Sequence, residues 1–134
     1  MIIKHFIKAQ VASVFPFFQD LKKFGEVHPV IYKVEQISDN DYIFYEQINM
    51  IFPYRFSYPV KIEKIIPNQQ IILSSDVQKG VFLYLTYNFE SKDNNTLITE
   101  MVEIKANPIV KEIFKIVLKS SHLKMVREIK KRLE

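Results

Sequence analysis

Three histidines, His5, His28 and His122, are the side chains best suited to move a proton near neutral pH or to hold a metal. They are isolated in sequence. No His-x-x-x-His or His-Glu pair places two ligands on one element at metal-binding spacing, so no metal site is expected. His28 precedes Pro29, where it serves either as a turn residue bonding a backbone group or as an acid or base. His122 lies on an apolar helical stripe, as a buried, hydrogen-bonded histidine or as a polar contact for a ligand. Among the carboxylates, Glu100 alternates in phase with Ile98, Val102 and Ile104, the more apolar face of its segment. A carboxylate there is costly unless paired, and burial raises its pKa, which is one route to a general acid or base. The alternative is a Lys or Arg on a neighbouring segment that pairs with it. Glu46, beside Phe44 and Ile48, has a similar position, and Glu103 falls on the opposite face. Glu100, His122 and His28 are therefore the catalytic candidates.

Other chemistries are closed. The 134 residues include no Cys, which removes disulfides, thiolate zinc sites and thiol nucleophiles. Gly25 and Gly80 are the only glycines, so neither a Gly-rich phosphate loop nor a Gly-x-Ser-x-Gly elbow exists, and no cofactor is expected. The net charge is +4, and its distribution matters more than its size: Lys111 to Glu134 carry eight Lys and Arg against three acids. Basicity confined to one terminal helix reads as a solvated face, and no specific nucleic-acid partner is expected. Met1 to Phe6 lack the pattern of a signal peptide, and no run approaches the ~18 apolar residues of a membrane span, so the expectation is cytoplasmic.

The positioning elements follow from periodicity. Ile2 to Ala9 alternates as a first strand. Between Ala12 and Phe24 the apolar spacing becomes helical, predicting two short helices with a bend near Asp20, Ser13 as cap, Pro16 in the first turn and Gly25 at the end. Six strands are then predicted without an intervening helix: Val30–Ser38, Tyr42–Ile51, Tyr54–Ile66, Gln70–Gln78, Val81–Ser91 and Thr96–Lys105. Short joints such as Lys79-Gly80 and Asp93-Asn94-Asn95 make them an antiparallel meander. Tyr54, Phe56, Tyr58, Val60 and Ile62 share one face against Arg55, Ser57, Pro59, Lys61 and Glu63, so one side is buried and one wet. Val81, Leu83, Leu85, Tyr87 and Phe89 repeat the pattern. Asn107-Pro108 starts a helix. Its stripes, Ile109-Ile113-Val117 and Leu118-His122-Val126-Ile129-Leu133, differ in register, which predicts a break or kink at Ser120-Ser121. No linker or repeat appears. The whole chain, 1–134, reads as one α+β domain.

This order of elements resembles the START-like (SRPBCC) superfamily, which includes the birch-pollen allergen fold, polyketide cyclases, coenzyme Q-binding proteins and activators of heat-shock chaperones. Ala12-Ser13-Val14-Phe15-Pro16-Phe17-Phe18-Gln19-Asp20 is similar to that family's first helix, and His28-Pro29 to its turn into the second strand. Gly80 to Phe89 and Asn95 to Glu100 resemble the last hairpin, and Ser121 to Glu134 the closing helix. The resemblance covers essentially the whole chain and implies a helix-grip fold: a curved antiparallel sheet of about seven strands, two short helices after the first strand, and a long C-terminal helix across the sheet. No Trp stands where several relatives place one.

Tyrosines offer an apolar body with a hydroxyl tip, suited to lining a pocket for a mostly apolar ligand. Together with the resemblance, this predicts binding or transport of a hydrophobic small molecule, such as a lipid, isoprenoid or polyketide, between sheet and helix. The expected contacts are Tyr32, Tyr45, Phe56, Tyr58, Leu85, Tyr87, Glu100, Val117 and His122. Two other readings compete. One is a cyclase or dehydratase using a cavity Glu or His. The other is an interaction module presenting the basic helix to a protein, RNA or membrane. The oligomeric state is left open.

Overall fold

The computed structural model describes residues 1–49 and 51–134. Among these residues seven strands form one antiparallel sheet: β1 (Ile2–Ile7), β2 (Ile31–Gln36), β3 (Asp41–Asn49), β4 (Pro53–Ile66), β5 (Gln70–Gln78), β6 (Val81–Lys92) and β7 (Asn95–Lys105). The expected strand Tyr42–Ile51 ends at Asn49, and Met50 lies outside the described residues. The sheet order is β1-β7-β6-β5-β4-β3-β2. β1 and β2 are consecutive strands yet occupy opposite edges, so the segment between them must span the sheet.

That segment holds three short helices, α1 (Val11–Val14), α2 (Pro16–Gln19) and α3 (Leu21–Val27), where the sequence predicted two. Ser13 lies inside α1 and caps nothing, because Gln10 holds the N-cap position. The bend at Asp20 is present: its carboxylate accepts from the backbone N–H of Lys22 at 3.0 Å and starts α3. Gly25 does not end that helix. A Cβ there would meet Val34 Cγ2 at 2.5 Å, so glycine is required for the close approach of α3 to β2. The helix stops at His28, whose successor Pro29 keeps it out of the helical region.

The meander is built by its turns. Asp93 and Asn94 both take positive φ (52° and 64°), the geometry of a two-residue hairpin turn, and Asn68 and Gly80 do the same at two other joints. Register shifts between Ile31 and Lys33, Ile62 and Lys64, and Asp76 and Gln78 add bulges that bend their strands. The predicted alternation holds on β4: Val60 and Ile62 are buried, Phe56 and Tyr58 half-buried, and the opposite set exposed. Tyr54, at the strand's outer end, is exposed. Phe15 and Phe18 pack on Phe89 with ring centroids 5.0 and 5.2 Å apart, joining the short helices to the sheet.

The closing helix α4 (Pro108–Leu133) is continuous, with no break at Ser120-Ser121. Asn107 accepts from the Val110 N–H at 2.9 Å and Pro108 occupies the first helical position. The two stripes are adjacent faces of one continuous helix. Leu118, His122, Val126 and Ile129 are buried and Leu133 half-buried, whereas Ile109, Ile113 and Val117 are exposed. The register change marks a change in what the helix faces.

Candidate functional site

Glu100 is the centre of the site. Strand alternation places it among Ile98, Val102 and Ile104, all buried, and the carboxylate itself is fully enclosed. On one side β1 brings His5, whose Nε2–H donates to Oε1 at 3.0 Å. From above, α4 brings His122, whose Nδ1–H donates to Oε2. Tyr87, directly opposite Glu100 on β6, sets its hydroxyl 3.3 Å from His122 Nδ1. Burial pushes the Glu100 carboxyl up, but the charge and hydrogen bond of His122 and those of His5 outweigh it and hold the group down at about 2. Burial, with the charge and hydrogen bonding of Glu100, pushes the Tyr87 hydroxyl well above its ordinary value.

His28, the C-cap of α3, joins this group from the other side. Its Nδ1 accepts the Val30 N–H at 3.3 Å, and its ring stands nearly perpendicular to that of His122, centroids 5.7 Å apart. Burial, then the charge of His122, lower its pKa to about 3 against the pull of Glu100, so it stays neutral. The three histidines, isolated in sequence, thus meet around one carboxylate. His5 and His122 spend N–H protons, not lone pairs, on Glu100. No group of metal-ligand geometry is found among the described residues.

Of this group, His28 and His122 line a cavity of about 230 Å³. Its walls are mostly apolar: Ile48, Phe56, Val77 and Leu83 from the sheet face Ile113, Phe114, Val117 and Leu118 from α4. The polar lining is His28, His122, Ser121, Glu46 and Tyr58. The Tyr58 hydroxyl donates to the Glu46 carboxylate. Burial raises the pKa of Glu46 to about 7, opposed by the charge of His122. A smaller recess of about 40 Å³, lined in part by Phe44, Leu73 and Leu85, shares His28, Tyr58, Leu83 and His122 with the main cavity.

Of the residues expected to touch a ligand, Phe56, Tyr58, Val117 and His122 line the main cavity and Leu85 the recess. Glu100 and Tyr87 sit behind His122 and reach the cavity through it. Tyr32 and Tyr45 do not line it. Their rings pack together at 6.2 Å, with Arg55 over Tyr32 and Lys33 over Tyr45, beside the bulge that interrupts β2 after Ile31. The mixed alternation of β2 and β3 hid which of their faces turns inward. The sequence reading also missed His5, whose in-phase neighbours Ile3 and Ile7 were the available signal, and the wall residues Leu83 and Phe114.

Solved structures share this architecture across nearly the whole chain. The di-domain ARO/CYC StfQ from the steffimycin biosynthetic pathway superposes with a TM-score of 0.78 at 12% identity, covering 97% of this chain and 48% of that one. This chain therefore spans about half of that two-domain protein. Ara h 8.0201 matches with a TM-score of 0.77 at 13% identity, over 98% of this chain and 95% of that one. A conserved protein from Geobacillus kaustophilus gives 0.76 at 16%, over 96% and 91%. No protein-family model and no curated protein sequence matches. The chain has the helix-grip fold of the birch-pollen allergen kind, with a seven-stranded antiparallel sheet, short helices after the first strand and a long C-terminal helix. Among the described residues no helix is long and apolar enough to cross a membrane.

Proposed function

We propose that the chain binds a small, mostly apolar molecule in the cavity between sheet and α4, its polar end directed at His28, His122 and Glu46. The observation that carries this reading is one cavity with a mostly aliphatic and aromatic lining that includes His28, His122, Ser121, Glu46 and Tyr58 as polar side chains. The volume, about 230 Å³, lies below the ~300–1,000 Å³ of clefts that hold drug-sized ligands. A single ring or short chain fits inside, and a longer tail leaves past Ile113 and Val117. The fold shared with an ARO/CYC protein and with Ara h 8.0201 supports a ligand-holding role.

Native mass spectrometry of freshly purified protein, with organic extraction of whatever is bound, tests the reading. A reproducible added mass that extracts as an apolar compound is the expected result. A clean unliganded mass, with no uptake of fluorescent isoprenoids or fatty alcohols, would rule it out. A catalytic reading is favoured by one further observation: His122 is oriented by a buried carboxylate, as a general base requires. It predicts that the protein promotes deuterium uptake from heavy water into the extracted ligand, and absence of uptake excludes it.

A further inference from the structure

We propose that the outer face of α4, together with the β3–β4 turn, docks the protein on an anionic lipid bilayer, with the rim of the cavity turned toward the lipid. The docking stands on surface residues and does not depend on what the cavity holds.

Residues three and four apart share one helical face, so Ile109, Ile113, Ile116, Ser120, Lys124, Arg127 and Lys131 form a single stripe along α4. All seven are exposed, on the side opposite the buried Leu118, His122 and Ile129. The stripe changes character once, at Ser120. Its first ~10 Å carries three isoleucines and its last ~10 Å three cations. Among the described residues the two acids of the helix, Glu112 and Glu128, pair with Lys115 and Arg132, and no carboxylate pairs with Lys124, Arg127 or Lys131.

A second apolar projection borders the same cavity. Ile48 and Phe56 of the β3–β4 hairpin line it together with Ile113 and Val117 of α4. Just beyond Ile48 the chain turns, and Ile51 and Phe52 there are 93% and 77% exposed. Tyr54, also exposed, stacks on Phe56 at 5.5 Å, and Phe56 on Tyr58 at 5.9 Å. This aromatic ladder leads from the outer end of β4 to the cavity lining. On the helix side Ile113 and Val117 are exposed and yet line the cavity, so they form its rim.

Such a surface needs a partner that takes apolar groups and cations side by side. A bilayer interface does so: isoleucine and phenylalanine enter the acyl boundary while Lys and Arg stay at the anionic headgroups. A second copy of the chain fits less well. Antiparallel pairing of two such stripes sets isoleucine against cation, and parallel pairing sets cation against cation.

Sedimentation of the full chain with phosphatidylcholine vesicles, with and without phosphatidylserine, tests the docking. Binding to the serine-containing vesicles is expected, reduced by high salt and at least tenfold weaker on phosphatidylcholine alone. Lys124→Ala, Arg127→Ala and Lys131→Ala together are expected to weaken it about a hundredfold, at about fivefold per cation. Phe52→Ser, Ile109→Ser and Ile116→Ser together are expected to weaken it at least tenfold. None of these side chains lines the cavity, so uptake of an apolar ligand in solution should not change, and a failure of docking leaves the binding reading intact. No sedimentation with either vesicle overturns the proposal, as does equal binding to both or binding untouched by the three serines. A dimer in light scattering that the three serines dissociate, without vesicle binding, assigns the face to a second copy and overturns it as well.

Discussion

The two halves of α4 are similar in composition and opposite in situation. From Leu118 onward the helix buries Leu118, His122, Met125, Val126 and Ile129 against the sheet and the short helices. From Pro108 to Val117 it is at least as apolar, yet none of its residues is buried, and Ile109 and Ile116 are 75% and 71% exposed. Hydrophobicity alone does not decide burial; what stands opposite does. The C-terminal half meets a packed layer, while Ile113, Phe114 and Val117 border a cavity. Their apolar surface contributes little to folding and is available to a ligand, which gains by removing it from water at roughly 25 cal/mol per Å².

That difference can be tested by substitution. The largest effect is expected at the anchor of the packed half. Glu100→Ala leaves His5 and His122 buried without their acceptor and should cost about 3–5 kcal/mol in urea denaturation. A cost below ~1 kcal/mol would mean that the network stores little energy. Next, Ile129→Ala, in a fully buried position, should cost about 2–5 kcal/mol. Ile116→Ala on the open half should stay within about 0.5 kcal/mol. Equal losses at the two sites would erase the distinction.

Titration separates the two environments in the same way. Glu100 is held at about 2, below its unfolded value of 4.5, so its contribution is present above pH 4.5 and lost as pH falls toward 2. Glu46, on the cavity wall, is raised to about 7. Its contribution is present below pH 4.5 and lost as pH rises through 7. Glu46→Gln should therefore flatten the fall in stability between pH 4.5 and 7 and leave the limb below pH 4.5 in place, followed by thermal melts across pH. An unchanged slope between pH 4.5 and 7 would show that Glu46 is not displaced. The smallest effect on stability is expected at Ile113→Ser, within about 0.5 kcal/mol. That variant should nonetheless weaken binding of an apolar ligand, which calorimetry would register.

Much of the architecture was readable because it is local. The β4 alternation, the Asp93-Asn94 turn and the Asn107-Pro108 cap each depend on neighbours within a few residues. The face of Glu100 was readable for the same reason. Its partners were not, since His5 lies 95 residues away and meets it only through the register of β1 on β7. Tyr32 and Tyr45 fall outside the cavity lining, beside a β2 bulge where strict alternation is a poor guide to which face turns inward. The run of α4 through Ser120-Ser121 was missed because serine is only mildly unfavourable within a helix, and the stripe shift came from the surroundings.

The placement of β1 beside β7 also sets an order of events. A meander from β2 to β7 zips through short hairpins at little loop-closure cost, whereas β1 must wait for a strand nearly the whole chain away. Until it docks, the sheet keeps an open edge at β7, and Glu100 has only the imidazole of α4 to bond. Pairing β1 with β7 joins the strands most distant in sequence within the sheet and carries its largest loop-closure cost.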